Sequence, residues 1–231
     1  MTLLSRRLFA ILALCLLPAF AQPAPDVPAP FERLVPPGFA DGLLLVELKA
    51  RDRDAPPWRM VEWRPGDAAT PARREKVSVR EAIKAMYLYP GSDYFANVKI
   101  ETSMPGMYEQ DRALVIEALE HNVRRDRALV GAYLAANPEA GAKVSARTPP
   151  GKDTIAFERE TVNGIEVVGY TDNVLGLRGG TISQIHFFVP ARETIVTAYL
   201  LNQKRTKFRD IDEFLRLRAA FIQGYTAYLA R

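Results

Sequence analysis

The chain of 231 residues predicts an α+β fold on an antiparallel sheet, and three observations lead there. Thr154 to Val162 and Ile165 to Thr171 flank Asn163-Gly164, a dipeptide suited to a two-residue type I′ hairpin because both central residues take positive φ. Two more apolar runs follow, Ile182 to Val189 and Thr194 to Leu201, joined at Pro190-Ala191-Arg192-Glu193, so four consecutive strands form a meander. Two long stretches, about Glu109 to Ala136 and Asp210 to Ala230, instead carry apolar residues at helical spacing. The expected architecture is an antiparallel sheet of six or seven strands, the C-terminal four-stranded meander plus N-terminal strands, covered on one face by the long helix and the C-terminal helix.

Residues 1 to 21 read as a cleavable export signal. Arg6 and Arg7 precede an apolar run from Leu8 to Leu17, and Pro18-Ala19-Phe20-Ala21-Gln22 supplies an Ala-x-Ala cleavage site. The run falls short of the ~20 residues that cross a bilayer, so no transmembrane span is expected in the mature form. Leu14 is bulkier than the residue that normally precedes a lipidated cysteine, which argues against lipidation at Cys15. Cleavage after Ala21 removes Cys15, the one cysteine, together with Arg6 and Arg7. The 31 Lys and Arg less these two leave 29 against 27 Asp and Glu, a net charge of +2. That balance gives no charge-based reason to expect nucleic acid as a partner. The absence of cysteine removes disulfides, thiolate chemistry and Cys-ligated metal. The expected location is the periplasm or the exterior.

From residue 22 onward the elements read in order. Residues 22 to 30 form a Pro/Ala-rich leader, and residues 31 to 231 form a single domain. Phe31 to Val35 makes a helical turn that Pro36-Pro37-Gly38 stops. Gly42 to Ala50 is a strand, with Trp58 to Trp63 its hairpin partner. Arg64 to Lys76, rich in Pro, Gly, Ala and Arg, reads as a surface loop. Ser78 and Glu81 have capping-box spacing and predict a short helix through Met86. Phe95 to Thr102 alternates like a strand with one wet face, and Met104-Pro105-Gly106 breaks it. The long helix places Val115, Leu119, Val123, Val130 and Leu134 on one stripe before Asn137-Pro138 closes it. In the meander, Ile185, Phe187 and Val189 share a face, as do Val196, Ala198 and Leu200. Asp172 to Gly180 is a glycine-rich loop, and Asp210 or Asp212 suits the N-terminus of the last helix.

Strand pair, helix, four-stranded meander and C-terminal helix, approached through Pro36-Pro37-Gly38-Phe39, is an order similar to the PsbP/Mog1-like group of α+β domains. The resemblance covers most of residues 31 to 230 as architecture. The long Glu109 to Ala136 helix and the Arg64 to Lys76 stretch depart from it. Many of that group are exported bacterial proteins. They share no catalytic residue set, so the resemblance implies fold and no functional residue.

Chemistry-bearing residues are few. His121 and His186 are the two histidines. Glu117 and His121 are i, i+4 on the long helix, with Glu120 beside them. A third protein ligand for zinc is lacking, and a solvated charged face accounts for the pair. Gly151-Lys152-Asp153 lacks the spacing of a phosphate loop and precedes a strand. His186 shares a strand face with Gln184 and Phe188, and Thr197 and Tyr199 of the next strand join it in a polar-aromatic patch. No nucleophile motif accompanies it. Trp58, Arg59, Trp63 and Arg64, with Arg73, Arg74 and Lys76 nearby, form a candidate contact surface, since Trp and Arg are enriched where proteins bind one another. Trp58 and Trp63 differ by an odd number and so point to opposite faces.

These features predict an exported, non-enzymatic interaction or accessory protein of the bacterial cell envelope. Its expected partner is another envelope protein, and no cofactor or metal is required. Its candidate contact residues are Trp58, Arg59, Trp63, Arg64, Arg73, Arg74, His186 and Tyr199. Two rival expectations are a periplasmic small-molecule-binding or hydrolytic protein with its site near His186, Tyr199 and the Asp172 to Gly180 loop, and an immunity-type inhibitor of a secreted toxin.

Overall fold

The computed structural model describes residues 25–39, 42–50, 57–67, 69–89, 94–146, 148, 150–173, 181–202 and 211–231. The export signal and most of the Asp172 to Gly180 loop lie outside them. After a single 3₁₀ turn at Ala29–Phe31 come strands β1 (Leu44–Ala50), β2 (Trp58–Trp63), β3 (Arg73–Leu88) and β4 (Tyr94–Ser103), then helices α1 (Tyr108–Ala136) and α2 (Pro138–Ser145). Strands β5 (Ile155–Val162), β6 (Ile165–Asp172), β7 (Thr181–Val189) and β8 (Thr194–Asn202) follow, and helix α3 (Ile211–Leu229) comes last. The architecture is α+β, with an eight-stranded antiparallel sheet ordered β1-β3-β4-β8-β7-β6-β5 and β2 attached to β3. Among the described residues no helix is long and apolar enough to cross a membrane.

The meander forms where turn chemistry predicts it. Asn163 and Gly164 take φ of 52° and 77°, both in the left-handed region that the two-residue turn requires. Asn137-Pro138 ends α1, and Pro138 also opens α2, because proline at the first helical position gives up an N–H that has no partner there anyway.

The first half of the chain departs from expectation in three places. The helix predicted over Ser78 to Met86 is part of β3. Val77, Val79, Ile83, Ala85 and Tyr87 are all buried at strand spacing, and a bulge between Val79 and Glu81 turns the later ones to the opposite face, so that Val77 packs with Val168 and Phe188 while Ile83, Ala85 and Tyr87 pack with Phe187 and Tyr225. Burial of alternate apolar residues outweighs one hydroxyl and one carboxylate at capping distance. Arg73 to Lys76, assigned to a loop, are the opening residues of β3 and pair with β2. The remainder holds a turn in which the Asp67 carboxylate accepts from Ala69 N, Thr70 N and Thr70 Oγ1 at 2.8–2.9 Å. Finally, β1 and β2 are not hairpin partners. Both pair with the long β3, β2 along Arg73 to Ser78 and β1 along Ile83 to Leu88.

The two main helices lie on opposite faces of the sheet, not together on one. Adjacent residues Val167 and Val168, Phe187 and Phe188, and Ile195 and Val196 are all buried, and neighbours in a strand point to opposite faces. Each face therefore needs its own cover. Phe214, Phe221, Ile222 and Tyr225 of α3 share one core with Val167, Ile185, Phe187 and Val196. Val115, Ile116, Ala118 and Leu119 of α1 share the other with Val168, Phe188, Ile195 and with Val61, Trp63 and Val77 from the β2-β3 ribbon.

The residues ahead of β1 are tied to the α3 side. Tyr87 Oη donates to Pro36 O at 3.0 Å and Tyr225 Oη to Leu34 O at 2.6 Å. Phe39 lies 5.3 Å from Phe221 and 5.4 Å from Tyr87, ring centre to ring centre. That approach is possible because residue 224 is glycine, as a β-carbon there would sit 2.6 Å from the Phe39 ring.

Candidate functional site

On the α1 face, β2 stands beside α1 above the sheet, and the space between them is a cleft of about 310 Å³. Its floor is polar, with Lys99 and Glu101 from β4, Thr197 and Tyr199 from β8, and Gln184 and His186 from β7. Its α1 wall is largely apolar, with Val115, Ala118, Leu119 and Val123, and faces a mixed β2 wall of Arg59, Met60, Val61, Glu62 and the following Arg64. The β2 wall is fastened to α1 by two adjacent side chains. Asn122 Oδ1 accepts from Arg64 N and Asn122 Nδ2 donates to Glu62 O, both at 2.8 Å, while His121 Nε2 donates to Arg64 O at 2.9 Å.

Cross-strand register sets the floor. His186 lies opposite Thr197 and Gln184 opposite Tyr199. His186 Nε2 is 2.9 Å from Gln184 Nε2, and its Nδ1 is 3.0 Å from Thr197 Oγ1. An amide nitrogen only donates, so Nε2 accepts and Nδ1 carries the proton that goes to Thr197. Phe188 stacks beside the ring at 6.3 Å. Burial, reinforced by the positive charge of Arg59, lowers the His186 pKa to about 3. The imidazole is therefore neutral and its lone pair is occupied, which makes it a poor general base.

Between the β2 wall and the floor, Arg59 Nη1 meets Glu101 Oε2 at 3.2 Å with both side chains buried, and Lys99 Nζ reaches Glu101 Oε1 at 2.6 Å. Buried charges persist only when paired, and Glu101 serves two cations at once. Asp111 of α1 is also buried here. Burial raises its pKa, against a hydrogen bond from Ser103 and the pull of Arg59, with Glu101 adding to the rise. Arg59 Nε and Asp111 Oδ2 have no hydrogen-bond partner among the described residues. Tyr199 is shifted upward too, first by burial and then by Glu101.

The candidate contact residues divide between two places. Arg59, Arg64, His186 and Tyr199 line the cleft. Trp63 is buried in the core beneath the Arg73 guanidinium, 4.1 Å from its ring centre. Trp58 is half-buried under Lys76 at 4.8 Å. Arg73 bridges Glu75 and Glu117, and Arg74 pairs with Glu62 at 2.9 Å. The predicted single surface is thus a cleft lining and a separate, internally paired outer ribbon. Glu117 and His121 are occupied by Arg73 and the Arg64 carbonyl. Among the described residues no three His, Cys, Asp or Glu side chains converge as a metal site would need. Lys99, Glu101, Asp111 and Asn122 belong to the site without any local motif to announce them. Only strand register, and in α1 a polar residue interrupting the apolar stripe, marks them.

Comparisons of the chain with protein-family models, with curated proteins and with solved structures find no match.

Proposed function

We propose that this is an exported, non-catalytic binding protein of the bacterial envelope whose cleft between α1, β2 and the sheet takes a small polar molecule. The Arg6-Arg7, apolar run and Ala-x-Ala sequence of residues 1 to 22 supports export. One observation carries the binding reading. The cleft sets an apolar α1 wall over a floor of convergent polar groups, and such groups fix the orientation of a bound ligand, while the histidine on that floor is held neutral between Gln184 and Thr197. Such a floor orients a ligand by hydrogen bonds from Gln184, Tyr199 and Lys99 without a base to drive a reaction.

The test is a thermal-shift panel of amino acids, monosaccharides and di- and tricarboxylates against the wild type and two cleft variants. Ala118→Phe fills the cleft from its α1 wall, and Gln184→Leu removes a floor donor; both are checked for native circular dichroism. The expected result is a rise in Tm for at least one class that either folded variant loses. No shift with any compound, or a shift that persists in both variants, would remove the cleft as a binding site.

A further inference from the structure

The register of the sheet places three ammonium groups abreast. Lys49 of β1 lies opposite Lys84 of β3, and Lys84 lies opposite Lys99 of β4. The row continues through Thr197 of β8 to His186 of β7, so one end of it is the cleft floor. Neighbouring strands are ~4.8 Å apart, and like charges directly opposite each other destabilise a sheet.

Neutralisation is incomplete. Lys49 Nζ is 2.8 Å from Glu47, and Lys99 Nζ is 2.6 Å from Glu101, a carboxylate that also serves Arg59. Lys84, in the middle, has no ion pair among the described residues. The three lysines line a second hollow of about 470 Å³ with Glu47, Asn97 and Tyr199. Lys99 and Tyr199 border both hollows, so the lysine row and the cleft adjoin. Helix α1 contacts mainly β2, β5 and β6, and Lys49 and Lys84 are exposed. A row of like charges is unfavourable in the free protein, and a bound anion would reverse that by making charge-assisted hydrogen bonds to neighbouring lysines.

We infer that Lys49, Lys84 and Lys99 bind a multivalent anion, an organic molecule carrying two or more carboxylate or phosphate groups, whose remaining part reaches past Tyr199 into the cleft. The inference rests on the ligand-binding reading of the cleft and names the chemical class of its ligand. Adjacent anionic groups engage adjacent strands, so charge spacing selects the ligand and a monovalent acid is a poor substitute.

Calorimetric titration and thermal shift with inorganic pyrophosphate, citrate and acetate at matched ionic strength test it. Pyrophosphate or citrate binds and raises Tm while acetate does not, and the better of the two identifies phosphate or carboxylate as the recognised group. Lys84→Gln weakens that binding about tenfold, the worth of one charge-assisted hydrogen bond, and by itself raises Tm in low salt. Absence of binding by either multivalent anion, equal effects of acetate, or unchanged affinity in Lys84→Gln overturns the inference. Ala118→Phe separates the two readings. If citrate binding survives in it but falls in Lys84→Gln, the lysine site stands and entry into the cleft is refuted. If only uncharged compounds bind, and Ala118→Phe abolishes that, the cleft stands and the lysine site is refuted.

Discussion

Lowering the pH should destabilise this protein through His186 before most of its carboxylates titrate. Burial lowers the His186 pKa from 6.5 to about 3, so the unfolded chain takes up a proton in a pH range where the folded protein does not. Stability is complete above pH 6.5 and falls as the pH drops from there toward 3. The slope approaches about 1.4 kcal/mol per pH unit. Between pH 7 and pH 5 the loss assigned to this one side chain is about 2 kcal/mol, a large share of a typical ~5–15 kcal/mol of net stability. The assay is urea unfolding at a series of pH values for the wild type and for His186→Gln. Titration of other groups common to both proteins largely cancels in the difference. The wild type should lose about 2 kcal/mol more than the variant over those two units. Parallel profiles would mean that His186 titrates as it does in the unfolded chain, and both the closed hydrogen-bond arrangement and the neutral-histidine reading of the cleft would then be wrong.

Three further outcomes are expected. A β-carbon on Gly169 would lie 2.6 Å from the Gln184 carbonyl oxygen. Because that neighbour is backbone, Gly169→Ala should cost about 2 kcal/mol in urea unfolding, and an unchanged midpoint would show that β6 and β7 are less closely apposed. Arg59→Met leaves buried Glu101 with Lys99 alone and should cost about 3 kcal/mol, whereas Arg59→Met with Glu101→Gln should recover part of that; a double variant no more stable than the single one contradicts the pairing. Asp111 keeps its proton to higher pH when folded, since burial raises its pKa above 3.8. Its stability contribution therefore falls as pH rises through that interval, and Asp111→Asn should gain on the wild type as pH rises toward 7, with the gain vanishing below pH 3.8. A variant that instead loses ground at neutral pH would place a compensating cation beside the carboxylate.

The elements legible in the sequence are those governed by local chemistry. Asn163-Gly164 carries its hairpin in two residues, and the alternation of Val196, Ala198 and Leu200 needs no distant partner to be recognised. Strand β3 was hidden because exposed Glu81, at the bulge, interrupts its run of alternate apolar residues, and because Ser78 and Glu81 happen to stand at capping distance. Arg73, Arg74 and Lys76 resemble a loop by composition, yet they are strand residues whose charges meet Glu62, Glu75, Glu117 and the Trp58 ring. The opposed helices follow from Phe187-Phe188 and Ile195-Val196, where consecutive apolar residues require two covered faces. Of the cleft, His186, Gln184, Thr197 and Tyr199 were visible as one strand face. Arg59 and Glu101 are 42 residues apart, and nothing local in either stretch relates them.

The amide of Asn122 has a consequence outside ligand binding. An outer strand exposes a ladder of N–H and C=O groups on which another chain can build, a common route to aggregation. On β2 that ladder ends against a side chain from α1: one amide occupies the Arg64 N–H and the Glu62 C=O as a neighbouring strand would. Asn122 therefore acts as a one-residue counterfeit strand that ends the sheet there, protecting an unfinished edge from other chains during folding.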